Sequence, residues 1–88
     1  MHQVTRQGWI IAAATQDSEV GALRADGTLT AIYSEGHFRG HSGQAAQEAR
    51  RRSYLYERRY GRELIRAAAL RDGEVLGADG VVRPGRLG

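Results

Sequence analysis

The apolar residues near the start of the chain form a run that is typical of a β-strand. Residues 4–15 centre on Trp9, Ile10 and Ile11, and aromatic and β-branched side chains of this kind are enriched in strands. The three alanines that follow weaken the prediction, because alanine favours helix. The first predicted element is nevertheless a strand, and a polar break follows it.

Residues 19–34 predict a β-hairpin. Asp26-Gly27 separates two runs that carry β-branched and aromatic residues. Such a pair suits a type I′ turn, because both central residues of that turn need positive φ. A two-residue turn at this point would pair Leu23 with Thr30 across the hairpin.

Residues 42–60 predict an amphipathic α-helix, preceded by a glycine-rich loop over 35–43 that no regular element should cross. Ser42 is the predicted N-cap, and Gly61 stands where a glycine in the left-handed conformation would end the helix. At 100° per residue, one stripe of alanine and tyrosine is predicted to face the core. That stripe consists of Ala45, Ala46, Ala49, Ser53, Tyr56 and Tyr60.

The segment after the helix favours strands, although residues 62–71 also suit a helix by propensity. A strand is preferred because Asp72-Gly73 is a second turn signal, flanked by an arginine and a glutamate that would face each other as an opposite-charge pair. Asp79-Gly80 is a third turn signal. Residues 83–88 contain the only proline and predict a flexible tail.

These elements predict one small α+β domain over residues 1–88. Its small antiparallel sheet, with two hairpins, would pack against one main α-helix in the order β-ββ-α-ββ. A chain of 88 residues allows a single domain that buries about 60–65% of its unfolded surface.

Composition excludes several classes of site. The chain has no cysteine, so disulfides, thiol catalysis, iron–sulfur clusters and cysteine-based zinc sites are absent. The longest apolar run, residues 9–14, is too short for a transmembrane helix or a signal-peptide core, which makes the cytoplasm the expected location and a membrane partner unexpected. No cofactor motif is present, and no cofactor is predicted.

Positive charge is concentrated in the middle of the chain. Residues 39–66 hold eight arginines and three acidic residues, whereas the rest of the chain is mildly acidic. Lysine is absent, and a GC-rich genome is the simplest explanation for that, so arginine usage alone does not indicate nucleic-acid binding. The segregation of charge is more informative, because it gives one segment the positive field.

The outward face of the predicted helix is the main candidate for partner or nucleic-acid binding. Arginine forks bind phosphate in a bidentate manner, and an exposed tyrosine can stack on an unpaired base. Tyrosine and arginine are also enriched in the binding hot spots of protein interfaces. The predicted surface consists of Arg51, Tyr54, Leu55 and Arg58, surrounded by Arg50, Arg52, Arg59 and Arg62.

Several functions stay open for this surface. The main hypothesis is a non-enzymatic binding protein whose partner is nucleic acid or a nucleic-acid-handling protein complex. One alternative is an inhibitor encoded by a phage or mobile element, analogous to anti-CRISPR proteins, that acts by protein–protein contact. A solvated face with no partner and a homodimer formed through a strand edge or the helix are further alternatives.

The approach to the helix is a second candidate site. Arg39, His41, Ser42 and Gly43 surround a predicted helix N-terminus, which attracts anions such as phosphate or carboxylate. His37 and His41 would align only on a helix, and neighbouring glycines argue against one, so no metal site is predicted. A small enzyme that uses these histidines as acid or base is a minor alternative, and no catalytic residue is assigned.

Overall fold

The structure, a computed structural model, describes residues 8–85. A short 3₁₀ helix, Tyr33–Gly36, lies between the third and fourth strands. In chain order the other elements are β1 Gly8–Ala14, β2 Val20–Leu23, β3 Leu29–Thr30, β4 His37–Arg39, α1 Ser42–Tyr60, β5 Arg66–Leu70, β6 Glu74–Leu76 and β7 Val82–Pro84.

β1 is the central strand of a five-stranded antiparallel sheet. One edge of β1 pairs with β5 over residues 10–14. The other edge pairs with β4 over residues 8–10 and with β2 over residues 12–14, and β3 extends the sheet beyond β2. Neighbours on both sides explain how an alanine-rich run forms a strand, because the pairing overrides its helix propensity.

The two faces of this sheet are covered by different elements. Side chains of a strand alternate between faces, so Ile11 and Ala13 of β1 pack towards α1, where they meet Ala49 and Tyr56. The intervening alanines of β1 pack with Leu76 on the opposite face, which the β6–β7 hairpin covers. The architecture is therefore three layers: helix, main sheet and a two-stranded sheet.

The α+β class, with one main helix on an antiparallel sheet, is confirmed. The predicted strand within 62–71 is also confirmed, since β5 pairs with β1 along its whole length. α1 has the predicted bounds, and Gly61 ends it in the left-handed conformation with φ 69°. The predicted N-cap is wrong, because His41 rather than Ser42 caps the helix.

α1 is rotated about its axis relative to the prediction. Ala46 and Tyr60 were expected in the core but are exposed, and Ser53 is half-buried. The rotation brings an arginine into the interior in their place. The buried residues of α1 are Ala45, Ala49, Arg52 and Tyr56.

The β2–β3 turn differs from the predicted type I′ turn. The Arg24 N–H donates to Thr28 O over 2.8 Å, and the Gly27 N–H donates to Arg24 O over 2.9 Å, so the loop has three residues. Of the two predicted turn residues, Gly27 alone has positive φ, at 87°. The extra loop residue shifts the register by one, and Leu23 pairs with Leu29 instead of Thr30.

Three further expectations about loops and pairing are wrong. The stretch 35–43 contains β4, because Phe38 pairs with Trp9 on the part of the β1 edge that β2 leaves unpaired. β6 does not continue a hairpin from β5 but pairs with β7 in a separate sheet. Arg83 and Pro84, assigned to a flexible tail, lie in β7, whereas 86–88 lie outside the described residues.

Candidate functional site

The tip of the β2–β3 hairpin covers one side of α1. The Arg51 guanidinium donates from Nη2 to Ala25 O over 3.1 Å. The backbone of Gly27 lies directly on the helix, since a Cβ at this position would stand 2.7 Å from Leu55 Cβ. Part of the predicted binding surface is therefore occupied by the chain itself.

Two more arginines of the predicted surface have acidic partners. The Arg59 guanidinium lies 4.0 Å from the Asp26 carboxylate at the hairpin tip. Arg62, just after α1, donates from Nη1 to Asp17 Oδ2 over 3.1 Å. All four side chains are exposed, so these pairs contribute little to stability, but they partly balance the charge of the two arginines.

Arg52 is buried, which contradicts its assignment to the outer surface; only 4% of the residue is exposed. Its Nη1 donates to Leu23 O over 2.7 Å and to Gly36 O over 3.2 Å, and its Nη2 donates to His37 O over 3.4 Å. Its Nε donates to Glu48 Oε2 over 2.7 Å. A buried cation needs such partners, and Arg52 joins α1 to the end of β2 and the start of β4.

Glu48 is the acidic partner of two neighbouring arginines. Hydrogen bonds from Arg51, over 2.6 and 3.0 Å, are the main cause that lowers the pKa of the Glu48 carboxyl from 4.5 to about 2. The bond from Arg52 lowers this pKa further, while partial burial opposes both. The three side chains form one network on the hairpin side of α1.

The depressed pKa of Glu48 predicts acid sensitivity. A carboxyl whose folded-state pKa lies below its unfolded value stabilises the fold above about pH 4.5, and that contribution is lost as the pH falls towards 2. E48Q should therefore show a flatter loss of stability between these pH values in urea unfolding. An unchanged slope in E48Q would contradict the assignment, and E63Q, at an exposed carboxylate that makes no ion pair within residues 8–85, is the matched control that should keep the slope.

A narrower part of the predicted surface stays open to solvent. Arg50, Tyr54 and Arg58 recur every fourth residue of α1 and therefore share one side of the helix; we call them the Arg50–Tyr54–Arg58 stripe. Tyr54 is 55% exposed. The Arg58 Nη1 donates to Tyr54 Oη over 2.8 Å, and Arg58 Cζ lies 5.7 Å from the ring centroid. The ring is thus held in place by a neighbour on its own helix.

The two arginines of this stripe have no acidic partner among residues 8–85. Arg50 makes no hydrogen bond or ion pair there, and the partner of Arg58 is the neutral phenol of Tyr54. Their charges are therefore available to an anionic ligand, unlike those of the arginines that the hairpin tip engages. This separation between paired and unpaired arginines defines the candidate site.

A shallow depression adjoins the stripe. Its volume is about 300 Å³, and it lies between Tyr54 and Ala67 of β5. Ser53 and Glu57 also line it, next to Arg50. None of these three neighbours was assigned to the site from the sequence, which placed Ser53 in the buried stripe. Helical spacing from Arg50 and Tyr54 could have identified Ser53 and Glu57, but no local signal places Ala67 here.

The predicted anion site at the start of α1 has a capping box. His41 Nδ1 accepts from the Gln44 N–H over 3.3 Å, and Gln44 Oε1 accepts from the His41 N–H over 3.2 Å. These bonds satisfy backbone donors that an anion would otherwise use. Arg39, in β4, lines an open depression of about 510 Å³ together with Gln44, and Ser42 and Gly43 are exposed in the first turn. Anion binding here stays a prediction.

The described part of the chain supports neither a metal site nor a membrane-spanning helix. Across 8–85 no three histidine, cysteine or acidic side chains gather in a geometry that could hold a metal ion. None of the helices in that range combines the length and apolar character needed to cross a bilayer.

No protein-family model, no curated protein and no solved structure matches this chain. The site is therefore interpreted from its own geometry.

Proposed function

We propose that this chain is a non-enzymatic binding protein that contacts nucleic acid through the Arg50–Tyr54–Arg58 stripe. The observation that carries the proposal is an exposed aromatic ring between two guanidinium groups that have no acidic partner within residues 8–85. Arginine pairs with phosphate through two parallel hydrogen bonds, and tyrosine supplies a flat surface for a base.

Single-stranded nucleic acid fits this arrangement better than a duplex. Arg50 and Arg58 are eight residues apart, so their backbones are separated by about 12 Å along the helix axis. Two phosphates of one strand can be contacted from such positions while a base between them stacks on Tyr54. In a duplex the bases are already stacked, and the ring would have no accessible face to bind.

The salt dependence of affinity tests this proposal. Two phosphate contacts on a single strand predict a log–log slope of about −1.4, which weakens binding about sevenfold between about 50 and 200 mM salt. R50Q and R58Q should each reduce the slope by about 0.7, because each removes one phosphate contact. Fluorescence anisotropy with labelled single-stranded oligonucleotides measures both quantities.

The control is R83Q, which removes the same charge from an exposed arginine of β7 that already pairs with Asp79 over 2.7 Å. R83Q should keep the slope of the unaltered protein. Equal slopes for R50Q, R58Q and R83Q would show that only overall charge matters, and the assigned surface would be wrong. Absence of binding at low salt would remove the nucleic-acid function altogether.

A further inference from the structure

A groove separates the outer edge of β5 from α1. Within the described range 8–85, β5 pairs with β1 along one edge and with no strand along the other. The groove has a volume of about 440 Å³ and is continuous with the depression beside Tyr54, since both include Arg50 and Ala67. The residues that shape the groove include Trp9, Ala46, Arg50, Arg66, Ala67 and Ala69.

The edge of β5 is suited to accept another strand. An unpaired strand edge presents rows of backbone N–H and C=O groups, and an extended peptide can satisfy them by strand addition. Residues 66–70 contain no proline, and their only charged residue, Arg66, stands at the first position of the strand. The alanines of β5 and Ala46 on the helix leave room beside the backbone, and five residues offer about 16 Å of pairing length.

The charge of the groove selects its occupant. Arg50 has no partner among residues 8–85, and Arg66 is bonded to a neutral group, Gly80 O, at 3.0 Å. Glu74 also lines the groove, and its carboxylate accepts the Arg71 N–H over 2.8 Å but keeps its charge, so the two arginines leave one net positive charge there. The groove therefore favours an acidic segment. A second copy of this chain at the same edge would bring two such cationic helix faces together, which is unfavourable.

We propose that the β5 edge binds an extended, acidic peptide segment of a protein partner as an added strand. Backbone hydrogen bonds would hold the segment, and carboxylates on its two faces would meet Arg50 on the helix side and Arg66 on the other. This is a second binding activity, distinct from the nucleic-acid contact of Tyr54 and Arg58, and the two sites share Arg50.

The first test is a selection of random displayed peptides on the purified protein. Enriched peptides should alternate β-branched residues and carry two or more carboxylates. Hydrogen exchange with a selected peptide should slow at alternate amides of residues 66–70, because strand addition bonds every second N–H of the edge. Failure to enrich such peptides, or protection elsewhere on the molecule, would overturn the proposal.

The matched variants are A46L and Q47L, at adjacent exposed positions of α1 of which only Ala46 lines the groove. A46L fills the groove and should weaken the selected peptide at least about tenfold, while Q47L should not. Equal affinities would contradict the proposed site. A46L keeps Tyr54 and Arg58, so its oligonucleotide affinity should not change. A failure of peptide binding can therefore be distinguished from a failure of nucleic-acid binding.

Sedimentation of the protein without peptide tests whether a second copy of this chain occupies the groove. A monomer is expected. A dimer in which the amides of β5 are already protected, and which A46L dissociates, would assign the groove to a second copy and overturn the peptide proposal. Protection of the same amides by a single-stranded oligonucleotide would overturn it equally, since it would assign the groove to nucleic acid.

Discussion

R52M is expected to lower the free energy of unfolding by about 3–5 kcal/mol. The substitution keeps much of the side-chain volume of Arg52 but removes every donor from a position that is only 4% exposed. Leu23 O and Gly36 O would lose the hydrogen bonds that hold the end of β2 beside the 3₁₀ helix. Unpaired buried carbonyls are costly, each by about 1–3 kcal/mol. Urea unfolding followed by circular dichroism measures the loss.

R51M is the matched control for this experiment. It removes the same charge from the preceding residue of the same helix, and Arg51 shares the Glu48 carboxylate with Arg52. The Arg51 side chain is 50% exposed, so its loss should cost no more than about 1 kcal/mol. If R51M and R52M lose similar stability, the internal hydrogen bonds of Arg52 do not have the importance assigned to them.

G27A is expected to lower the free energy of unfolding by about 3 kcal/mol or more. A Cβ at Gly27 would lie 2.7 Å from Leu55 Cβ and 2.8 Å from the backbone nitrogen of Tyr56. Neither contact can be relieved by a flexible side chain, because both atoms belong to the framework of α1. The hairpin tip would have to move away from the helix, which also weakens the contacts of Arg51 and Arg59.

G73A separates the two free-energy costs of G27A, the conformational cost of a non-glycine residue at positive φ and the steric cost of the added Cβ. Gly73 has φ 86°, nearly that of Gly27, but a Cβ there meets nothing within 4 Å. G73A should therefore show the conformational cost alone, about 1 kcal/mol. Thermal and urea unfolding of both variants measure the difference. A loss in G27A no larger than in G73A would mean that the hairpin tip is not seated on the helix.

The elements of the fold were predictable where local chemistry decides them. Gly61 marks the end of α1 because a left-handed residue there needs no Cβ, and the three Asp-Gly pairs mark turns. The register of the first hairpin was not predictable from Asp26-Gly27 alone. The same pair serves a two-residue or a three-residue loop, and the choice depends on which partner Leu23 finds across the sheet.

The sequence pattern could not predict the rotation of α1 about its axis, for a different reason. Alanine contributes little apolar area, so a stripe that contains both Ala46 and Ala49 specifies the buried face weakly. Arginine is seldom assigned to a core, yet the carbonyls near Arg52 and the carboxylate of Glu48 provide partners that no local pattern reveals. β4 was missed similarly, since Phe38 lies among glycines.

The candidate site was predictable as a region but not in its detail. The sequence indicates an arginine-rich helix face with Tyr54 at its centre. It does not indicate which arginines are already paired, because their partners lie far away along the chain; Asp17 and Asp26 approach α1 only in the folded state. The structure therefore narrows eight predicted residues to the Arg50–Tyr54–Arg58 stripe.

Amide chemical-shift mapping tests the central claim most directly. A ¹⁵N-labelled sample is titrated with a single-stranded oligothymidine at low salt. The largest changes are expected along α1 at Arg50, Tyr54 and Arg58, with none in residues 79–83 of the β6–β7 hairpin. Changes centred on that hairpin, or no change at oligonucleotide concentrations up to about 1 mM, well above the usual range of non-specific dissociation constants, would contradict the account.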